Sequence, residues 1–163
     1  MKERSDKHEW LIKRAKRYAR HGNAAAVEGV MLQLLNDEPD DTVALAFLGA
    51  ALFQSGRSAA AVVAYRRALD VEPDLGLVRY QLGLAEASLA HHEHALECWQ
   101  PLLDDEAEFM AHYQSAMALL ALDRAEEAGP LIETARKRMP LEHPLSIALD
   151  GMVARYCQAP AIN

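Results

Sequence analysis

Residues 42–75 read TVALAFLGAALFQSGRSAAAVVAYRRALDVEPDL, and this stretch predicts the fold of the chain. The small residues Gly49, Ala61 and Ala68 stand where two helices would have to approach closely. Pro73 ends the second helix, because proline cannot continue the backbone hydrogen-bond ladder. The stretch therefore predicts a pair of packed helices. Large apolar residues at helical spacing fill the rest of their contact: Leu45, Leu48, Leu52 and Tyr65.

Weaker copies of this pattern occupy the rest of the chain at intervals of 33 or 34 residues. An internal repeat of this length indicates stacked helical hairpins. Two prolines depart from the pattern. Pro101 predicts an early end or a bend in the second helix of the third copy, and Gly129-Pro130 predicts a kink or a late helix start in the fourth. The copies span residues 8–41, 42–75, 76–108 and 109–142, and an amphipathic helix at 144–157 follows them as a cap.

The offsets of Gly49, Ala61 and Pro73 resemble those of tetratricopeptide-repeat (TPR) proteins, and the resemblance extends over residues 8–142. It implies an all-α fold: a right-handed α-solenoid of about four TPR-like helical hairpins plus a C-terminal capping helix. It also implies one domain over residues 1–163. TPR proteins are interaction scaffolds, so the resemblance implies a non-enzymatic module with a protein or peptide partner.

Charge is unevenly distributed along the chain. The net charge is -7, but residues 1–20 hold eight Lys or Arg and three Asp or Glu, which leaves -12 for the remainder. A mostly acidic body excludes general nucleic-acid binding. The basic first helix has two open interpretations: a solvated outer face, which we favour, or a contact with an acidic partner or an anionic membrane surface.

Compartment and membrane insertion follow from composition. Two cysteines are too few for a disulfide framework, so reduced thiols are expected. The first ten residues lack the apolar region of a signal peptide, and no uncharged apolar run approaches membrane-spanning length. The sequence therefore predicts a cytoplasmic protein without stable membrane insertion.

The resemblance implies that the first helix of each repeat lines the concave face, so a partner-binding groove is predicted there, on the helical stripe that repeat positions 2, 5, 9 and 12 share. This stripe is apolar, which favours a groove for a hydrophobic segment of another protein. Two alternatives stay open: the stripe packs on itself or on the C-terminal helix, or self-association, for example as a homodimer, buries it. The predicted groove residues are Val43, Ala46, Ala50, Phe53, Leu77, Tyr80, Leu84, Met110, Tyr113, Met117 and Leu120.

Two known kinds of TPR protein help to narrow the function. Carboxylate-clamp TPR domains place lysine and asparagine at groove positions 5 and 9, whereas position 5 here is Ile12, Ala46, Tyr80 or Tyr113. A carboxylate clamp is therefore not expected. In size and apolar groove the chain is similar to the class II chaperones of bacterial type III secretion. That likeness implies a bacterial chaperone that holds a hydrophobic client.

No catalytic or cofactor motif is present in the sequence, so neither an enzyme nor a cofactor is predicted. His91, His94 and Cys98 share one helix face at spacings that would suit zinc. No fourth ligand follows on that stripe, since Pro101 is next. We therefore interpret these residues as a solvated turn and helix start and predict no metal.

Overall fold

The computed structural model describes residues 2–104 and 109–157, with the side chains from residue 6 onward. All regular structure in these ranges is helical, which confirms the predicted all-α class. A short 3-10 helix, Gln100–Leu102, follows α6. The α-helices are α1 Lys2–Arg20, α2 Ala24–Asp37, α3 Thr42–Gln54, α4 Ser58–Val71, α5 Gly76–Ser88, α6 His92–Trp99, α7 Phe109–Ala121, α8 Ala125–Arg138 and α9 Ser146–Tyr156.

The turn inside each helical hairpin has a left-handed residue at the same place in the repeat. Gly22 and Gly56 have φ of 68° and 75°, and Ala90 and Asp123 have φ of 60° and 58°. Glycine adopts this conformation without a steric penalty, whereas alanine and aspartate do not. The four turns thus share one backbone geometry, although only two of them have the residue type that favours it.

Side-chain caps define the starts of two helices in the first half of the chain. Asn23 Oδ1 accepts a hydrogen bond from the Ala26 amide at 3.0 Å, and Asp41 Oδ1 accepts one from the Ala44 amide at 2.6 Å. Each satisfies a backbone N–H that has no partner within its helix. The second carboxylate oxygen of Asp41 lies 2.6 Å from His8 Nε2, so the same side chain also links α1 to the start of α3.

Two compact units make up the chain, Met1–Leu89 and Ala90–Asn163. The division falls between α5 and α6, inside the third predicted repeat. The single-domain organisation over residues 1–163 therefore stays a prediction, and each unit is described by itself.

The first unit contains α1 to α5, each packed on the next along the chain. Gly49 in α3 lies against the ring of Tyr65 in α4: a Cβ atom at residue 49 would come within 2.5 Å of Tyr65 Cε1. This contact is the close helix approach that the sequence predicted. A buried cluster joins α1, α2 and α3, and it consists of Leu11, Ala15, Val27, Val30, Met31, Leu34, Ala44 and Ala51.

The second unit contains α6 to α9, and α9 packs on α8. The predicted cap at 144–157 is a helix at Ser146–Tyr156. Leu149 is buried, but Ala148, which was expected on the same side, is exposed. The shared core of this unit consists of Ala116, Leu119, Ala128, Ile132, Ala135, Met139 and Leu149.

The two prolines behave differently. α6 ends at Trp99, two residues before Pro101, as expected. Of the two outcomes predicted for Gly129-Pro130, a kink or a late helix start, the late start is wrong, because α8 begins at Ala125 and continues through Pro130. Ala128 and Ile132 are fully buried on the two sides of the proline. Packing of the apolar face therefore outweighs the loss of one backbone hydrogen bond.

None of the described helices is both long enough and apolar enough to cross a bilayer.

Candidate peptide-binding surfaces

The predicted groove residues of the first unit come from α3 and α5. We call this set the α3–α5 surface: Val43, Ala46, Ala50, Phe53, Leu77, Tyr80 and Leu84. Leu77 and Val43 are its most open large side chains, with 74% and 44% of their area exposed. Ala50 is also exposed, and the other four are half-buried. Such exposure of apolar side chains is the physical property that a docking surface for an apolar partner requires.

A pocket of about 200 Å³ lies on this surface, lined by seven uncharged residues. The structure brings Ala46, Ala50 and Leu77 of the predicted set together at this pocket. Val43, Phe53, Tyr80 and Leu84 do not line it. The remaining lining residues are Phe47, Tyr65, Val78 and Gln81.

Tyr65 is the one pocket residue that comes from α4. It is 99% buried, and its ring reaches past α4 because Gly49 leaves room for it on α3. The sequence analysis assigned Tyr65 to packing inside the hairpin and missed its position at the pocket. The signal available in the sequence was the combination of Gly49 with Tyr65, a large aromatic side chain that carries a hydroxyl.

The hydroxyl of Tyr65 has no hydrogen-bond partner among the described residues. A buried hydroxyl without a partner costs free energy, since its bonds to water are lost and not replaced. Burial also raises the pKa of Tyr65 to about 12. The phenol is therefore protonated, and able to donate a hydrogen bond, at neutral pH.

In the second unit, the predicted groove residues of α7 are partly covered. Met117 and Leu120 line a pocket of about 290 Å³ together with Ala148, Met152 and other α9 residues. Tyr113 packs against the core of this unit, and Met110 is half-buried. Met117 keeps 42% of its area exposed. Part of the predicted stripe on α7 therefore meets the C-terminal helix α9, as in one of the alternatives to an open groove.

A further pocket in the second unit, of about 360 Å³, was not foreseen from the sequence. It lies among α6, α7 and α8. Arg124 crosses its rim, where Nε donates to Glu127 at 2.6 Å and Nη1 donates to Glu93 at 3.1 Å. Ser115 lines the pocket with a buried hydroxyl that has no partner among the described side chains and backbone groups.

The candidate metal ligands of the sequence are only partly brought together. The imidazole rings of His91 and His94 lie 5.7 Å apart, centroid to centroid. Cys98 does not join these two rings in a cluster of metal-binding size within the described residues. The sequence analysis missed another group, in which ligand atoms of His8, Glu38 and Asp41 lie within 4.8 Å of one another. Asp41 is already used there as the cap of α3.

The basic first helix carries an exposed aromatic residue. Trp10 has 56% of its area exposed, and the guanidinium of Arg14 lies 5.1 Å from the centre of its ring. Arg14 also donates to the Tyr18 hydroxyl at 3.3 Å. These contacts occur within α1, so they organise its outer face without showing what that face binds.

Comparison with known proteins identifies the fold. No family model matches the chain, and no curated protein is detectably similar to it. Several solved structures do match. MamA, residues 41 to the end, from Desulfovibrio magneticus RS-1 superposes with a TM-score of 0.82 at 20% identity, covering 92% of this chain and 85% of that chain.

Two other structures give the same result. Pseudomonas aeruginosa PilF has a TM-score of 0.80 at 15% identity, covering 93% of this chain and 70% of that chain. A tetratricopeptide repeat protein from Parabacteroides merdae ATCC 43184 has a TM-score of 0.79 at 16% identity, covering 93% and 60%. At these identities the likeness concerns the fold. The chain is an all-α protein with the helical-hairpin solenoid fold of tetratricopeptide-repeat proteins.

Proposed function

We propose that this chain is a protein-interaction module that binds an apolar segment of a partner protein on the α3–α5 surface. In this role it would act as an adaptor or as a chaperone for that segment. The observation that carries the proposal is the exposed Leu77 beside an uncharged pocket. Solvated leucine at the rim of an apolar pocket is stabilised when a partner removes both from water.

The size of the pocket indicates what it can hold. A volume of about 200 Å³ is below that of typical small-molecule sites and suits one large side chain of a peptide. Each well-buried apolar side chain contributes roughly 1.5–3 kcal/mol before the cost of ordering the partner. Several such contacts, at the pocket and on the other predicted groove residues Val43 and Phe53, would give a usable affinity.

The first unit is preferred over the second because its surface is less covered. Leu77 is exposed on α5, whereas the α7 residues Tyr113 and Leu120 pack against the core that contains Leu149 of α9. A partner would have to compete with α9 for α7. At the 200 Å³ pocket, the partner meets no such competing helix within α1 to α5.

A charge placed at the pocket rim tests the proposal. Leu77→Glu puts an ion beside apolar surface, so it should abolish capture of the partner while leaving helical circular dichroism unchanged. Leu32→Glu is the matched control, because Leu32 is an equally large, 51% exposed side chain of the same unit outside this pocket. Quantitative pull-down with both variants makes the comparison. Equal capture by the two variants would exclude the α3–α5 surface as the binding site.

Self-association is the second candidate function, favoured by the same exposed Leu77 and Val43. In that case a second copy of the chain covers the α3–α5 surface. Sedimentation velocity over a concentration series separates the two candidates. A dimer that resists high salt and dissociates in Leu77→Glu would support self-association through apolar contacts. A monomer at all concentrations would exclude it.

A further inference from the structure

The pocket on the α3–α5 surface has an apolar lining, and one of its lining residues, Tyr65, has a buried hydroxyl without a hydrogen-bond partner in the described part of the chain. Its seven lining residues include no charged side chain. The Tyr65 hydroxyl and the Gln81 amide are the polar side-chain groups among them. An occupant that matches this lining is uncharged, apolar over most of its volume, and able to accept a hydrogen bond.

From this chemistry we infer that the Tyr65 hydroxyl donates a hydrogen bond to a backbone carbonyl oxygen of the bound segment. The inference rests on the proposed function, and it specifies the partner more closely. The pocket would select a peptide group next to an apolar side chain, and it would discriminate against an apolar group without an acceptor. Tyr65 would thereby determine specificity, while Leu77 and its neighbours supply the apolar contact.

The desolvation cost of the Tyr65 hydroxyl favours a hydrogen bond that forms only when the partner is bound. In the free protein the hydroxyl is buried and without a partner in the described part of the chain, so its desolvation cost is already incurred. A carbonyl that reaches it gains a hydrogen bond at no further desolvation cost on the protein side. The raised pKa of Tyr65 agrees with this role, because the phenol keeps its proton.

Tyr65→Phe tests the inference because it removes the hydroxyl and keeps the ring. The probe is N-acetyl-L-leucine N-methylamide, which presents an isobutyl side chain between two peptide groups. Its affinity is measured by titration of protein NMR shifts for four proteins: wild type, Tyr65→Phe, Leu77→Glu and Leu32→Glu. For a probe of this size we expect a dissociation constant of roughly 1 mM for the wild type.

Loss of one neutral hydrogen bond should weaken binding to Tyr65→Phe by about 2- to 10-fold. Leu77→Glu should abolish binding, and Leu32→Glu should bind as the wild type does. If Tyr65→Phe binds with unchanged affinity while Leu77→Glu does not bind, the role of the hydroxyl is wrong and the proposed function stands. If Leu77→Glu binds normally, the proposed function is itself wrong. Absence of saturable shifts in the wild type would overturn the inference.

The unfolding temperature of Tyr65→Phe supplies a second test. It should fall if the hydroxyl has only a structural role, and it should not fall if the hydroxyl acts on a bound partner. Because the hydroxyl has no partner within the described residues, Tyr65→Phe should unfold at the same or a higher temperature than the wild type. A fall of several degrees would show that the hydroxyl is already satisfied inside the protein, and that result would also overturn the inference.

Discussion

In both compact units, the same number of residues separates a small residue on one helix from a large residue on the next. The side chains at these two positions differ between the units. In the first unit Gly49 faces Tyr65, and sixteen residues also separate Ala116 from Ile132 in the second. Ala116 and Ile132 are both fully buried. A methyl group at residue 49 would clash with the Tyr65 ring, so this ring position requires glycine. The second unit instead buries alanine and a branched aliphatic side chain in one cluster.

The units also differ in what covers the first helix of the hairpin. In the second unit, α9 contributes Leu149 to the core and lines a pocket with Met117 and Leu120. In the first unit the corresponding residues of α3 and α5 surround an uncharged pocket with Leu77 at its rim. The apolar stripe of the second unit thus meets α9, whereas the similar stripe of the first unit borders an open pocket.

Removing the α9 anchor should produce the largest effect. Leu149→Ala deletes a fully buried side chain and should lower the free energy of unfolding of the second unit by about 2–5 kcal/mol. Ile147→Ala on the same helix is the control, because Ile147 is 84% exposed. Hydrogen exchange followed by mass spectrometry reports the units separately. Equal loss of protection in both units would contradict the assignment of Leu149 to the core of the second unit alone.

The glycine–aromatic pairing predicts the next largest effect. Gly49→Ala places a Cβ where the Tyr65 ring lies and should destabilise the protein by about 1–3 kcal/mol. Adding Tyr65→Leu should relieve most of this loss, because a shorter side chain leaves space for the new methyl group. Urea unfolding of the two single variants and the double variant measures the coupling. Additive losses would mean that the two residues do not constrain each other.

The hairpin turns predict smaller effects with opposite signs. Gly56→Ala in the first unit introduces a side chain at φ of 75° and should cost about 1 kcal/mol. Ala90→Gly at φ of 60° in the second unit should stabilise by about 0.5–1 kcal/mol. Thermal unfolding of both variants checks the signs. Destabilisation by Ala90→Gly would mean that the chain entropy of glycine outweighs the strain at this turn.

The smallest expected effect concerns an ion pair that both units place at the hairpin turn. Arg57 donates from Nη1 to Glu28 at 3.0 Å, and this hydrogen bond holds the pKa of Glu28 below its ordinary value of 4.5. The folded state therefore gains stability above pH 4.5 and loses it as the pH falls through the lowered pKa. Glu28→Gln should lower the unfolding temperature slightly at pH 7, and this difference from the wild type should shrink as the pH falls through the lowered pKa of Glu28.

The matched variant in the second unit is Glu127→Gln. Arg124 holds the pKa of Glu127 down in the same way, but it also binds Glu93, so one carboxylate remains after the substitution. We expect a smaller change at pH 7 than for Glu28→Gln. A larger one would show that Glu93 does not compensate for the lost partner.

Much of the fold could be predicted because repeat spacing is a local property of the sequence. The helix pair at residues 42–75 and the early end of α6 at Pro101 were foreseen from glycine, alanine and proline offsets. The start of α8 was not, since burial of Ala128 and Ile132 opposes the tendency of Pro130 to interrupt a helix. The balance between burial and the effect of proline depends on contacts with other helices, and the spacing of residues in the sequence does not predict those contacts.

The candidate site was less predictable, for a related reason. Helical periodicity placed Ala46, Ala50 and Leu77 on one stripe, and these three residues line one pocket. It could not reveal that Tyr65 reaches the same pocket from α4, because this depends on the missing side chain of Gly49. The other predicted groove residues stay candidates for partner contact.

The burial of the Tyr65 phenol also makes its ionisation observable by absorbance, separately from that of Tyr18. The chain has five tyrosines, and burial raises the pKa of Tyr65 to about 12, while a hydrogen bond from Arg14 lowers that of Tyr18. In an alkaline absorbance titration Tyr18 should therefore ionise early and Tyr65 late. Stopped-flow pH jumps would then time the appearance of the last phenolate, which measures how often the first unit opens.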